Sequence, residues 1–120
     1  MTLHPWLNYL MEWPVIIKHA GDAELIYIRD QTDWENNREI QQATYHESDV
    51  LIDSRGHIFS LTTVKQQLLK PEPRDELISL EELLGLVKAH AAQNGSCCVA
   101  KLYAPTIKDA LGIVASLDET

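Results

Sequence analysis

The stretch DVLIDSRGHIFSLT, residues 49–62, decides the fold because it contains two apolar runs separated by a tight turn. The apolar residues on either side of the turn are Leu51, Ile52, Ile58, Phe59 and Leu61. Asp53 suits the first position of a type I turn, and Gly56 suits a following position with positive φ. The stretch therefore predicts a β-hairpin.

A second hairpin precedes it in PVIIKHAGDAELIYIRD, residues 14–30. The runs Val15 to Lys18 and Glu24 to Arg29 are rich in β-branched and aromatic residues, and AGDA between them supplies turn-forming residues. SCCVAKLYA, residues 96–104, follows a helix end and predicts a further strand near 96–103. KPEPRDE, residues 70–76, predicts a polar connector, since proline cannot donate a backbone hydrogen bond.

Two helices are expected in the second half. Ser79 as N-cap and Glu82 three residues later form a capping box that starts a helix over about 80–94, ended by Gly95. Thr106 and Asp109 mark the start of a second helix, about 107–117. Residues 30–48 predict a short helix or an irregular loop, with TDWE as a capping box that begins at Thr32.

This order of elements predicts an α+β fold. We expect a single small domain over residues 13–120, with an antiparallel or mixed sheet of about five strands. The two hairpins and the strand near 96–103 form this sheet, and the two main helices cover one face. Residues 1–12 are expected to form an N-terminal extension or short helix.

The charge excludes several functions. The 120 residues carry 18 acidic and 10 basic side chains, a formal net charge of −8, and 45% are hydrophobic. An acidic surface repels phosphate, so we expect neither nucleic acid nor anionic membrane as a partner. The N-terminus lacks a secretory leader, and no apolar run approaches the roughly 18 residues of a membrane span. We expect a cytoplasmic protein.

No catalytic, cofactor or metal motif is present. In a strand, the adjacent Cys97 and Cys98 would point to opposite faces, which favours packing over metal or redox chemistry. Cys97 alone remains a candidate reactive thiol. His46 and His57, with Asp53, could assemble a metal site across the second hairpin, but histidines and acids near turns are usually solvated. We expect no cofactor and no bound metal.

Aromatic residues gather in the less regular first 45 positions, whereas the second half contains no tryptophan. Aromatic side chains outside a regular apolar stripe are enriched at protein interfaces. They predict an interaction surface, formed by Trp6, Tyr9, Leu10, Trp13 and Trp34. The alternative is that Trp13 and Trp34 close the ends of the sheet.

These patterns favour a non-enzymatic protein-interaction or binding module, whose partner is a protein or a second copy, engaged near the N-terminus or at a sheet edge. One alternative is a small enzyme or ligand-binding protein with a site over the sheet, using Cys97, His90 or the His46–His57 region. A weaker alternative is an accessory protein of a metal or thiol pathway.

Three segments resemble a family of small uncharacterised proteins from gamma-proteobacteria. They are WPVIIKHAGDAELIYI (13–28), LIDSRGHIFSL (51–61) and LEELLGLVKAHAAQNGSCCVAKLYAPTIKDAL (80–111). The resemblance covers residues 12–117 and implies a small α+β cytoplasmic domain of bacterial origin. It implies no activity, cofactor or catalytic residue.

Overall fold

The structure, a computed structural model, describes residues 11–62, 69–96 and 98–118. Five strands and four α-helices lie in these ranges. The strands are β1 (Val15–Lys18), β2 (Leu25–Ile28), β3 (Val50–Ile52), β4 (His57–Thr62) and β5 (Lys70–Leu77). The helices are α1 (Gln31–Asn36), α2 (Arg38–Gln42), α3 (Leu80–Gln93) and α4 (Ile107–Asp118).

The strands form one antiparallel sheet in the order β2-β1-β3-β4-β5, which confirms the α+β class and the five-stranded sheet. The two predicted hairpins are present as β1–β2 and β3–β4. β3 pairs with the side of β1 that β2 leaves free, so the connection through α1 and α2 crosses β1.

Strand register sorts the apolar side chains onto two faces, because successive residues of a strand point in opposite directions. Ile17 lies opposite Ile26 and Leu51, and all three belong to one cluster. Its neighbour Ile16 lies opposite Ile52, and both belong to the other cluster. We call the first the tryptophan face, since it contains Trp34, and the second the helix face, since α3 and α4 cover it.

The helix face confirms the prediction of two main helices on one side. Leu83 and Val87 of α3 and Leu111 and Val114 of α4 are fully buried there. The Ser79–Glu82 capping box is present with both of its hydrogen bonds.

On the tryptophan face, the segment from 30 to 48 forms two short helices that bury Trp34 and Ile40. Asp30, not Thr32, is the N-cap of α1, because its carboxylate accepts the Asp33 N–H at 2.8 Å. The predicted capping box at Thr32 is therefore wrong by two residues. Met11, assigned to the extension, is 3% exposed and packs in the same cluster.

The fifth strand lies where a connector was predicted. KPEPRDEL forms β5 at the edge of the sheet, and Pro71 and Pro73 lie opposite Leu61 and Phe59. A proline at an edge can direct its donor-free nitrogen away from the neighbouring strand, so the ladder with β4 loses no hydrogen bond.

The predicted strand near 96–103 is wrong. Val99–Lys101 forms a short 3₁₀ turn, and Cys98 before it has φ of 59° in the left-handed region, which a strand does not use. The two edges of the sheet are formed by β2 and β5, and the Leu25 N–H of β2 donates to His90.

The predicted turn between β3 and β4 is confirmed. The Gly56 N–H donates to the Asp53 carbonyl at 3.0 Å, and Gly56 has φ of 86°. A Cβ atom at Gly56 would lie 3.0 Å from both the Ile78 carbonyl oxygen and Ile107 Cδ1. This position therefore needs glycine for its backbone angle and for its close packing.

Candidate functional site

A groove of about 420 Å³ opens between β4 and β5, next to the β3–β4 turn. We call it the β4–β5 groove. Its apolar residues are Ile58, Phe59, Pro73 and Leu77, and its polar residues are Arg55, His57, Asp75 and Glu76. Apolar and charged side chains thus line the groove together, a mixture that is also found at protein-binding surfaces.

The groove arises from a bulge in β5. Ile58 lies opposite Glu76, whereas the next residue, Phe59, lies opposite Pro73, so two residues of β5 have no counterpart. One of them, Asp75, has φ of 58°, a strained conformation for a residue other than glycine. The end of β5 beyond this bulge leaves Leu77 66% exposed.

Asp53 fixes the end of the groove nearest the turn. Its buried carboxylate accepts the backbone N–H groups of Arg55 and His57 at 3.0 Å, and that of Glu12 at 3.1 Å. The Glu12 carboxylate in turn lies 3.4 Å from Arg55 Nε. Glu12 is therefore held beside the β3–β4 turn by Asp53 and Arg55.

Asp49 is a second buried carboxylate, at the opposite end of β3. It accepts the N–H groups of Ala20 and His46 at 2.8 Å and lies 3.4 Å from His19 Nδ1. Burial raises the pKa of Asp49, but the N–H groups of His46 and Ala20 and the His19 ring together outweigh it. The pKa of this carboxyl is held below its ordinary value of 3.8.

A second cleft, of about 430 Å³, lies beside β2 and is lined on one side by His19 and Tyr45. Their rings stack with centroids 5.4 Å apart, and the Tyr45 hydroxyl donates to the Ile40 carbonyl at 2.8 Å. Burial, with a contribution from the Asp49 charge, raises the pKa of Tyr45 to about 12. The aromatic groups of this cleft are thus held by internal contacts.

His90 is 1% exposed and connects three elements. The Leu25 N–H of β2 donates to its Nδ1 at 3.0 Å, so this nitrogen carries no proton. The proton is then on Nε2, which lies 3.1 Å from Asp118 Oδ1 at the end of α4. Through these contacts the His90 side chain connects β2 to the end of α4.

The predicted interaction surface is only partly visible. Trp6, Tyr9 and Leu10 lie outside the described residues. Trp34 is fully buried and Trp13 is half-buried, with ring centroids 6.2 Å apart. The indole N–H groups of Trp13 and Trp34 are buried and have no hydrogen-bond partner within the described part of the chain. Trp34 is therefore a core residue and presents no surface for a partner.

The candidate thiol and histidine sites are separated. Cys97 lies outside the described residues, while Cys98 is an exposed free thiol. His57 lies 3.9 Å from Asp53, whereas the His46 backbone is bonded to Asp49 at the other end of β3. In the described ranges, no group of three or more His, Cys, Asp or Glu side chains could hold a metal ion. No helix in these ranges is long and apolar enough to span a bilayer.

The sheet edges are poor sites for an added strand. At β5, Pro71 and Pro73 offer no N–H group, and the bulge interrupts the strand. At β2, His90 occupies the Leu25 N–H. The β4–β5 groove was not predicted from the sequence, because KPEPRDE predicts a connector and not a strand. The sequence feature that could have indicated the groove is the run of charged residues around two prolines, followed by the apolar Leu77.

Comparison with known proteins identifies one solved structure and one family that are similar to this chain. A solved structure titled "NMR structure of the protein from Shewanella Amazonensis" is similar, with 28% sequence identity and a TM-score of 0.66. The similarity covers 97% of this chain and 94% of that one. No curated protein matches the chain significantly. The model of family DUF4144, described as a protein structure with unknown function, matches residues 13–114, and the chain belongs to this family.

Proposed function

We propose that the chain is a non-enzymatic protein-interaction module of the bacterial cytoplasm, from a gamma-proteobacterial family. It binds a protein partner, or a second copy of itself, through its N-terminal aromatic residues and the β4–β5 groove. The N-terminal residues are Trp6, Tyr9, Leu10 and Trp13. The observation that carries the proposal is Leu77, an apolar side chain that lines the β4–β5 groove and is 66% exposed.

The use of the buried polar groups supports binding over catalysis. Asp49, Asp53 and His90 are all at most 2% exposed, and each accepts backbone N–H groups. A catalytic acid or base must instead reach a substrate from a cleft. These three side chains hold turns and strands in place, which leaves the exposed apolar surface as the feature without a structural role.

Site-specific photo-crosslinking in the native host tests this proposal. A photoreactive amino acid replaces Trp6, Leu77 or, as a control, Ala89, whose side chain is exposed on α3. We expect positions 6 and 77 to crosslink to the same protein and position 89 to crosslink to neither that protein nor another. Equal crosslinking at position 89, or none at positions 6 and 77, would contradict the proposal.

A further inference from the structure

We propose that the β4–β5 groove is the contact surface between two copies of this chain, related by a two-fold axis that runs along the groove. This inference rests on the proposed function and names its partner as a second copy. Three observations carry it: the Asp75 carboxylate, the opposite charges on the two sides of the groove, and the exposed Leu77.

Asp75 is a charged residue of the groove in a strained backbone conformation. It lies in the bulge of β5 with φ of 58° and lines the groove. The neighbouring Glu76 carboxylate lies 3.6 Å from Arg74, whereas the Asp75 carboxylate forms no ion pair or hydrogen bond with any residue that the structure describes. Strained residues of this kind cluster at functional positions. Asp75 is therefore the group that would gain a cation when a second molecule binds.

The two sides of the groove carry opposite charges. Arg55 and His57 lie at the β3–β4 turn and the start of β4. Asp75 and Glu76 lie on β5 across the groove. Arg55 lies 3.4 Å from Glu12, and 47% of its side chain is still exposed. A two-fold axis along the groove exchanges its sides, so the basic side of each copy faces the acidic side of the other.

The net charge of the chain makes this groove a better surface for self-association than the second cleft. The chain carries a net charge of −8, so two copies repel each other where acidic surfaces meet. The described lining of the second cleft contains Glu24, Glu39 and Asp118 but no lysine or arginine. At the β4–β5 groove, acidic groups meet basic ones, and association covers Leu77, which is 66% exposed.

Sedimentation velocity on charge-reversed variants tests the inference. The wild type should dimerise at concentrations of about 5–500 µM, as expected for a small interface. Arg55→Glu and Asp75→Lys should each weaken dimerisation by about tenfold or more, because like charges then face each other at two symmetric contacts. An equimolar mixture of the two variants should dimerise again, since each altered residue then faces an opposite charge. Circular dichroism establishes that each variant is folded.

The controls separate local contacts from overall charge. The mixture carries the same total charge as two wild-type copies. Arg38→Glu changes the charge as Arg55→Glu does, but Arg38 is exposed on α2 outside the groove, so dimerisation should persist. Leu77→Asp should weaken the dimer about tenfold, whereas Tyr103→Asp should not, because Tyr103 is 70% exposed but lies outside the groove. This second comparison does not depend on the folding of Arg55→Glu.

A wild type that stays monomeric at the highest concentration would overturn the inference. A dimer that Arg38→Glu weakens as much as Arg55→Glu would do the same, as would a mixture that stays monomeric although both variants are folded. Equal dimerisation of Leu77→Asp and Tyr103→Asp would also overturn it.

The two proposals fail separately. If the wild type is monomeric and positions 6 and 77 crosslink to a different protein, the second copy is excluded and the proposed function is supported. If the groove forms the dimer but position 6 crosslinks to nothing, the second copy is supported and the N-terminal residues are excluded from the proposed function.

Discussion

The Asp53 carboxylate is expected to be the most sensitive single polar group in the molecule. It is fully buried and accepts three backbone N–H groups, from Glu12, Arg55 and His57. In Asp53→Ala all three donors lose their acceptor. A hydrogen bond to a charged group contributes about 1.5–3 kcal/mol, but donors near the surface recover part of this from water. We therefore expect a loss of about 3–5 kcal/mol in the free energy of unfolding, a large part of the 5–15 kcal/mol typical of a domain.

Asp53→Asn keeps the shape of the side chain and changes only its hydrogen bonding. The amide oxygen can still accept from Arg55 and His57, while the amide nitrogen faces the Glu12 N–H, donor against donor. We expect a smaller loss of about 1–2 kcal/mol, from the Glu12 contact alone.

Urea unfolding, followed by circular dichroism, measures both changes. With a slope of about 2 kcal/mol per molar, Asp53→Ala should lower the urea midpoint by about 1.5–2.5 M. Asp22→Asn is the control, because Asp22 accepts a single exposed N–H, from Glu24, and should change stability by less than about 0.5 kcal/mol. If Asp53→Ala is no more destabilising than the control, or if Asp53→Asn costs as much as Asp53→Ala, the account of this carboxylate is wrong.

Three further results are expected. The pKa of Asp49 is lowered in the folded state, so the ionised carboxylate stabilises the fold fully well above pH 3.8 and loses this effect as the pH falls below it. The difference in unfolding free energy between wild type and Asp49→Asn should therefore shrink between pH 5 and about pH 2.5. A constant difference would contradict this. Gly56→Ala should destabilise the protein by about 2–3 kcal/mol in thermal unfolding, since alanine is strained at φ of 86° and its Cβ would press on Ile78 and Ile107. Gly85→Ala lies in open space within α3 and should instead stabilise the protein by about 0.5–1 kcal/mol. The pKa of Tyr45 is raised to about 12, so the free energy of unfolding should fall between pH 10 and 12. In an absorbance titration at 295 nm, Tyr45→Phe should lose one tyrosine that ionises late. An unchanged titration curve would refute the raised pKa of Tyr45.

The elements that depend on contacts between residues close in sequence could be predicted from local sequence patterns. Ser79 and Glu82 specify the start of α3, and Asp53 and Gly56 specify the β3–β4 turn, because each pattern requires contacts only a few residues apart. These elements were found with almost correct bounds.

The two errors in the sheet have a common cause. KPEPRDEL resembles a connector and SCCVAKLYA resembles a strand when only local propensity is considered. Prolines are tolerated in β5 because it is an edge strand, and position in the sheet is not a local property. Similarly, Cys98 adopts the left-handed region and Val99 begins a 3₁₀ turn, although the residue types of SCCVAKLYA favour a strand.

The candidate site was the least predictable part. The β4–β5 groove depends on the strand register that places Ile58 opposite Glu76 and Phe59 opposite Pro73. Register depends on contacts across the sheet, so the sequence indicated an interaction surface from its aromatic residues but not the groove. Trp34 shows the limit of that argument, since an aromatic residue in an irregular segment proved to be core.

Because Trp13 and Trp34 lie on the same face of the sheet, tryptophan fluorescence and circular dichroism report on different layers of this protein. Both described indoles lie on the tryptophan face, and the cluster beneath α3 and α4 contains none. Loosening of that face changes the environment of these two fluorophores directly, whereas far-ultraviolet circular dichroism is dominated by the long helices on the opposite side of the sheet. Agreement between the two signals during unfolding therefore reports whether both layers of the domain separate in one step.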